Sequence, residues 1–180
     1  MNIIEISEII GRLKTTKRTG WIEANIPDPE SIADHSYRVA LFVMILSDKM
    51  GLDTEKAVRM SLVHDLGEAL IGDVVTEGPS ASEKKETKTV RERQALEKIL
   101  SAAQSPQYIE LFDEFEKSES AEARLVAQID KLEMALQALE YEKAHGKRLD
   151  RFFATADKMV WQPELREMLE RIEGGRPRIP

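Results

Sequence analysis

The chain contains no cysteine among its 180 residues. Disulfides, thiolate metal sites and a cysteine nucleophile are therefore excluded, and any metal must be held by His, Asp or Glu. The absence also accords with a reducing compartment. Nor is there an apolar run approaching the ~20 residues needed to span a bilayer, and the opening MNIIEISEIIGRLK alternates apolar and charged side chains too closely for a secretory signal. The expectation is a cytoplasmic protein with no membrane partner. Positive charge is scarce as well: 26 Lys and Arg stand against 33 Asp and Glu, a net charge of −7. Without a broad basic face no nucleic-acid partner is expected, although a small anion could still be bound locally. Finally, the strict apolar–polar alternation of strands, bounded by turn signals, is missing.

Apolar spacing of three and four runs through most of the chain instead, and predicts an all-α fold. The length suits one domain, residues 1–180, able to bury about 70% of its unfolded surface. No linker divides it; the core is expected over about 3–172, with a frayed tail, GGRPRIP, at 174–180. Helices are predicted over 3–13, from an Asp28 cap with Pro29 at the first helical position to Gly51, and from an Asp53 cap to near Gly72. Further helices are predicted over 83–100, 107–117, 121–145, 150–160 and 163–172. Residues 14–28 and 74–82 read as loops, the second a possible lid.

The segment SLVHDLGEALIGDV, residues 61–74, carries the sharpest signal. At ~100° per residue Leu62, Val63, Leu66, Ala69 and Leu70 share an apolar face, and Ser61, His64, Asp65 and Glu68 fall into one polar wedge. Burying an unpaired carboxylate there is too costly for a small domain, so the wedge must be paired, liganded or wet. A satisfied polar network is the bland alternative. Against it, an adjacent His and Asp on a helix can converge on one ion, and His35 also points inward from an apolar stripe with Ile32, Val39, Phe42 and Leu46. His145, just before Gly146, reads as a cation at a helix C-terminus. A further carboxylate ligand could come from Asp130 or Glu133, and periodicity does not choose between them. By the same periodicity, Asp130 alone would read as a partly exposed charge at the edge of a stripe.

The order His35, His64–Asp65, Asp130, together with LKTTKRTGW, PESIADHSYRVA, LVHDLGEALIGDV and AEARLVAQIDKLEMALQALEYE, resembles the HD-domain metal-dependent phosphohydrolases. Within them it is most similar to the small 5'-deoxynucleotidase group, the YfbR-like and HDDC2-like proteins. The resemblance implies that His35, His64, Asp65 and Asp130 hold one divalent transition metal, with Mn²⁺ and Co²⁺ ahead of Fe²⁺, Ni²⁺, Zn²⁺ and Mg²⁺. It implies that Glu68, beside the scissile phosphate, is the acid/base group, that Asp65 is catalytic as well as a metal ligand, and that Asp73 lies near the sugar. Arg18 would grip the 5'-phosphate of a small nucleotide substrate, and Trp21 would pack by the deoxyribose. Bacterial members of the group have the Arg and Trp adjacent, whereas here Thr19 and Gly20 intervene. Arg18 also lies in a stretch without acidic residues from Ile9 to Ile22, a plausible anion port.

The function expected is hydrolysis of deoxynucleoside 5'-monophosphates to deoxynucleoside and phosphate. The alternatives are an HD-domain hydrolase of another nucleotide (a triphosphate, cyclic nucleotide or alarmone) and a non-catalytic nucleotide-sensing scaffold. A homodimer is expected, with the apolar content of 107–117 and of the C-terminal helix offered as its contact.

Overall fold

A computed structural model describes residues 3–73 and 81–179, including their side chains except those of 81–86. The lid expected over 74–82 therefore falls mainly outside the described residues. The elements are α1 (Ile3–Gly11) with a 3-10 turn (Arg12–Lys14), α2 (Thr19–Glu23), α3 (Ile32–Met50), α4 (Thr54–Val63) and α5 (Glu68–Ile71). They continue with α6 (Ala81–Ala102), α7 (Tyr108–Lys117), α8 (Ala121–His145), α9 (Asp150–Met159) and α10 (Pro163–Gly174). The all-α expectation holds: among the described residues the only β feature is an isolated bridge between Lys17 and Ser31. No described helix is long and apolar enough to cross a membrane.

Helix α8 is the axle. Leu125, Val126, Ile129, Leu132, Ala135 and Ala138 are buried on it, and α3, α4, α7, α9 and α10 pack around it. Its limits, Ser120 as cap and Gly146 in the left-handed conformation, are those the sequence signals predict. Helix α3 starts three residues later than predicted. Ser31 accepts from the Asp34 amide at 3.2 Å and Asp34 returns a bond to the Ser31 amide at 2.8 Å, so this reciprocal box satisfies two end donors. Asp28 instead sits in a turn at φ +45°.

The predicted helix over 53–72 is broken. After Val63 the chain turns with bonds to the third residue back, Leu66 to Val63 and Glu68 to Asp65, before α5 forms. The turn takes Leu62 off the predicted apolar face, and it is 54% exposed.

The apolar residues of 107–117 and of the C-terminal helix are used within the chain: Phe112, Leu165 and Leu169 are buried in its own core. Large apolar side chains are exposed instead on α3, at Tyr37, Leu41, Met44 and Ile45.

The tail is tied down where fraying was expected. Arg176 donates to both oxygens of the fully buried Glu142, at 2.6 and 2.9 Å, reaches Asp150 at 2.5 Å, and lies over the Phe153 ring. Burial pushes the Glu142 carboxyl up, but the bonds from Arg176 and the Leu149 amide outweigh it and hold its pKa below the ordinary value. A depressed carboxylate contributes stability that is present above the unfolded-state pKa and lost as pH falls through the folded one. Arg176→Ala is therefore expected to destabilise the fold by about 3 kcal/mol at neutral pH, with a smaller difference from wild type once Glu142 is protonated. Urea unfolding of both proteins at pH 7 and pH 4 measures this, and an equal difference at the two values would refute it.

Candidate metal centre

Three elements bring two imidazoles and two carboxylates together. His35, completely buried, lies in the first turns of α3; His64 follows the end of α4 with Asp65 in the turn beyond it; Asp130 is midway along α8. His35 Nε2 is 3.2 Å from Asp130 Oδ1 and 3.8 Å from Asp65 Oδ2, and His64 Nε2 is 3.3 Å from the same Asp65 oxygen. Ligand atoms of His35, His64 and Asp130 all lie within 4.8 Å of one another and could hold a metal ion. His64 and Asp65, consecutive at the end of α4, both reach the space between α3 and α8.

The hydrogen bonding of the imidazoles tests whether these residues suit a metal. Nδ1 of His64 is 2.7 Å from the Ser61 carbonyl, and Nδ1 of His35 is 2.5 Å from Glu133 Oε2. Each ring thus donates through Nδ1, which leaves a lone pair on Nε2. Both Nε2 atoms are buried without a hydrogen-bond partner. Orphaned acceptors cost free energy in a dry interior, and here they face carboxylates. Two imidazole lone pairs and two ionised carboxylates are the donor set a divalent transition metal takes. The electrostatics agree. Burial and Arg18 pull the His35 pKa down, yet Glu133 and Asp130 outweigh them and push it up to about 10, so the surrounding acids call for positive charge at this point. Asp130 is held well below the carboxylate range although burial opposes this, by Lys131, His35 and His64. It is buried, not the edge charge that periodicity suggests.

The choice left open between Asp130 and Glu133 resolves into two tasks. Asp130 faces Nε2 of His35. Glu133, wholly buried, takes Nδ1 of the same ring and the Arg38 Nε at 2.7 Å. Such a carboxylate behind a ligating histidine fixes the ring and its tautomer.

The centre opens into a cavity of about 380 Å³, in the size range of small-molecule sites. Its walls include Arg18, Trp21, His64, Asp65, Glu68, Asp73 and Asp130, so seven of the eight predicted site residues meet in one space, with His35 buried behind it. Arg18 reaches Asp65 Oδ2 at 3.3 Å with one of its five N–H groups. Asp73 follows Gly72, whose φ of +76° turns the chain back, and accepts from the Thr19 amide at 2.5 Å. It secures the Arg18 loop while lining the cavity. The inserted Thr19 and Gly20 thus have structural work: Thr19 joins Asp73, and Gly20 lies so close to Phe152 that a Cβ would approach its ring at 3.3 Å. Trp21 is only 1% exposed, stacked on Phe152 at 4.0 Å, with Nε1 donating to Glu30 at 2.9 Å. It anchors the core and forms part of the cavity wall.

Glu68 is 1% exposed; Oε1 accepts from Lys88 Nζ at 3.0 Å, and Oε2 has no partner. Burial and the charge of Asp65 raise its pKa well above the ordinary value against the pull of Lys88. Lys88 and Glu92, also on the cavity wall, were not expected from the sequence. The available signal was their register: positions 88, 92, 96 and 99 share a face of α6, and Leu96 and Ile99 are buried.

Comparison with known proteins agrees with this geometry. A family model described as HD domain matches residues 10–172. Human 5'-deoxynucleotidase HDDC2 is 36% identical over 180 residues, covering 97% of this chain and 86% of its own. The 5'-deoxynucleotidase hdd1 of Schizosaccharomyces pombe is 34% identical, covering 96% and 89%. A crystal structure of a Pyrococcus horikoshii protein superposes with a TM-score of 0.81 at 34% identity, covering 96% of this chain and 99% of that one. With a family model over residues 10–172 and a relative 36% identical across 97% of the chain, the chain belongs to the HD-domain family, in the group that includes 5'-deoxynucleotidase HDDC2.

Proposed function

We propose that this protein is a metal-dependent phosphomonoesterase that converts deoxynucleoside 5'-monophosphates to deoxynucleosides and inorganic phosphate. The observation that carries the reading is the pair of buried, unpartnered imidazole nitrogens facing Asp130 at the edge of a cavity that also holds Arg18 and Glu68. His35, His64, Asp65 and Asp130 would hold the ion; Mn²⁺ and Co²⁺ lead among those the donor set accepts. When bound, it offsets phosphoryl charge and acidifies water, which phosphate monoesters need because they hydrolyse extremely slowly unaided.

The chain's own groups supply the rest. Arg18 has donors beyond the one engaged by Asp65, and their planar fork suits a terminal phosphate. Water attacks phosphorus as the bond to the 5'-oxygen breaks. Glu68 Oε2, with no other partner, holds the proton in transit, from the attacking water or to the leaving oxygen. The Trp21–Phe152 stack forms an apolar wall for the sugar, and its indole N–H is already committed to Glu30. An apolar wall rejects an added hydroxyl only modestly, so the preference for deoxynucleotides over ribonucleotides is expected to be at most about 10²-fold.

The test is orthophosphate release by metal-stripped protein given back each divalent ion, with paired dNMP and NMP substrates. Metal-restored release that favours dNMP supports the reading. Pyrophosphate or triphosphate release from nucleoside triphosphates would replace it with another HD-domain hydrolysis, and nucleotide binding without turnover with a sensor.

A further inference from the structure

We infer that Lys88 is a positioning residue for Glu68, and that helix α6 is docked against the histidine–aspartate turn so that this lysine reaches it. Two independent features converge on α6. The first is a chain of charges: Lys88 Nζ lies 3.0 Å from Glu68 Oε1 and 3.2 Å from Glu92 Oε1, one helical turn further on. The Glu68 and Glu92 side chains are 1% and 5% exposed, and that of Lys88 is 20% exposed. The second is a backbone approach at Gly67, the residue before Glu68. A Cβ there would stand 2.7 Å from the Glu92 carbonyl oxygen and 3.2 Å from its Cα, so only glycine lets α6 come this near. The residue whose backbone touches the turn is also the one whose carboxylate lies in ion-pair range of the lysine, without a hydrogen bond to it.

The chemistry gives the arrangement a purpose. A buried carboxylate facing Asp65 and Asp73 across the same cavity would swing away from their charge unless something held it. An ammonium has three N–H donors, and here two carboxylates lie within their reach. Lys88 pins Oε1 of Glu68, while Oε2, buried and unpartnered, is left for proton transfer. Fixing one oxygen restricts rotation of the carboxylate and keeps the other in place for the reacting proton. A solvated surface lysine has no such consequence, and the inward register of 88 and 92 with Leu96 and Ile99 separates the two cases.

The inference rests on the proposed phosphatase reading, and one experiment distinguishes their failures. Lys88→Met, Lys88→Arg and Glu92→Gln are compared with wild-type protein, all metal-loaded, for kcat and KM on a dNMP, metal content and melting temperature. Lys88→Met is expected to lose about 10²-fold in kcat with KM within about threefold and metal retained. Lys88→Arg should recover at least about a tenth of the wild-type rate, because a guanidinium can hold both carboxylates. Glu92→Gln, which keeps a neutral acceptor for the lysine, should lose roughly three- to tenfold in kcat alone, and covers the case in which Lys88→Met does not fold. A Lys88→Met kcat within threefold of wild type overturns the inference. So does a loss carried by KM, which would make Lys88 a phosphate ligand, or equal damage in the Met and Arg variants with loss of metal, which would make it structural. If wild-type protein itself releases no phosphate, the proposed function fails; if it turns over and Lys88→Met matches it, only the role of Lys88 does.

Discussion

Replacing His64 by alanine is expected to abolish metal retention and phosphate release together, with turnover reduced by more than about 10³-fold. The size of the effect follows from the geometry. His64 brings one of only two imidazole nitrogens to the centre, its ring fixed through Nδ1 by the Ser61 carbonyl, and alanine removes that lone pair outright. Removal also leaves Asp65, held below the usual carboxylate range by His64 and Arg18 despite burial, with only Arg18 of its two partners at 3.3 Å. A graded control comes from the carboxylate behind the other ring. Glu133→Gln leaves all four proposed ligands in place but removes the charge that orients His35 and pairs with Arg38, so it should weaken metal affinity by about 10- to 100-fold. Metal content after dialysis and phosphate release are read side by side. An alanine variant that keeps stoichiometric metal would remove His64 from the ligand set.

Glu68→Gln is expected to reduce kcat by about 10²- to 10⁴-fold while metal content and folding stay near wild type. Glutamine has nearly the same shape, its carbonyl oxygen can still accept from Lys88, and its amide replaces only the unpartnered Oε2. Stability is therefore almost unaffected, and what disappears is the capacity to take up and return a proton. The comparison separates the enzyme from a sensor. A scaffold that only binds nucleotide needs no proton transfer, so unchanged phosphate release in the glutamine variant would remove Glu68 from the chemistry.

The parts of the centre that were legible share a cause. His35, His64 and Asp65 are polar residues set on or against apolar helix faces, and one helix periodicity reveals that conflict without coordinates; Asp130, which periodicity reads as an edge charge, was named only by the family resemblance. Contributions that arise from partners distant in sequence were hidden. Glu133 stood as an alternative ligand because nothing local shows that it meets the opposite nitrogen of His35, 98 residues away. Lys88 and Glu92 looked like solvated charges because their inward register has meaning only once α6 lies on Gly67. Arg176 belonged to a tail rich in Gly and Pro, and its hold comes from Glu142 on α8. Trp21 lines the cavity as expected, but its partners Phe152 and Tyr141, which bury the ring, come from distant parts of the chain.

Local failures had a different origin. Ser31 displaced Asp28 as cap because its reciprocal box with Asp34 satisfies two donors where a lone Asp cap satisfies one. The helix through 53–72 breaks after Val63, where bonds to the third residue back replace the α-helical pattern, a local change that apolar periodicity does not signal.

What the amino-acid order determined by itself was the all-α architecture, the long α8 with both its limits, and the identity of the side chains that could not be left alone in a core. Those depend on periodicity, caps and the cost of burying charge, all of which act over a few residues. Which oxygen faces which nitrogen, how the wedge closes around one point, and which distant lysine and glutamates support it were decided only by tertiary packing, because each depends on helices separated by tens of residues meeting at distances of about 3 Å.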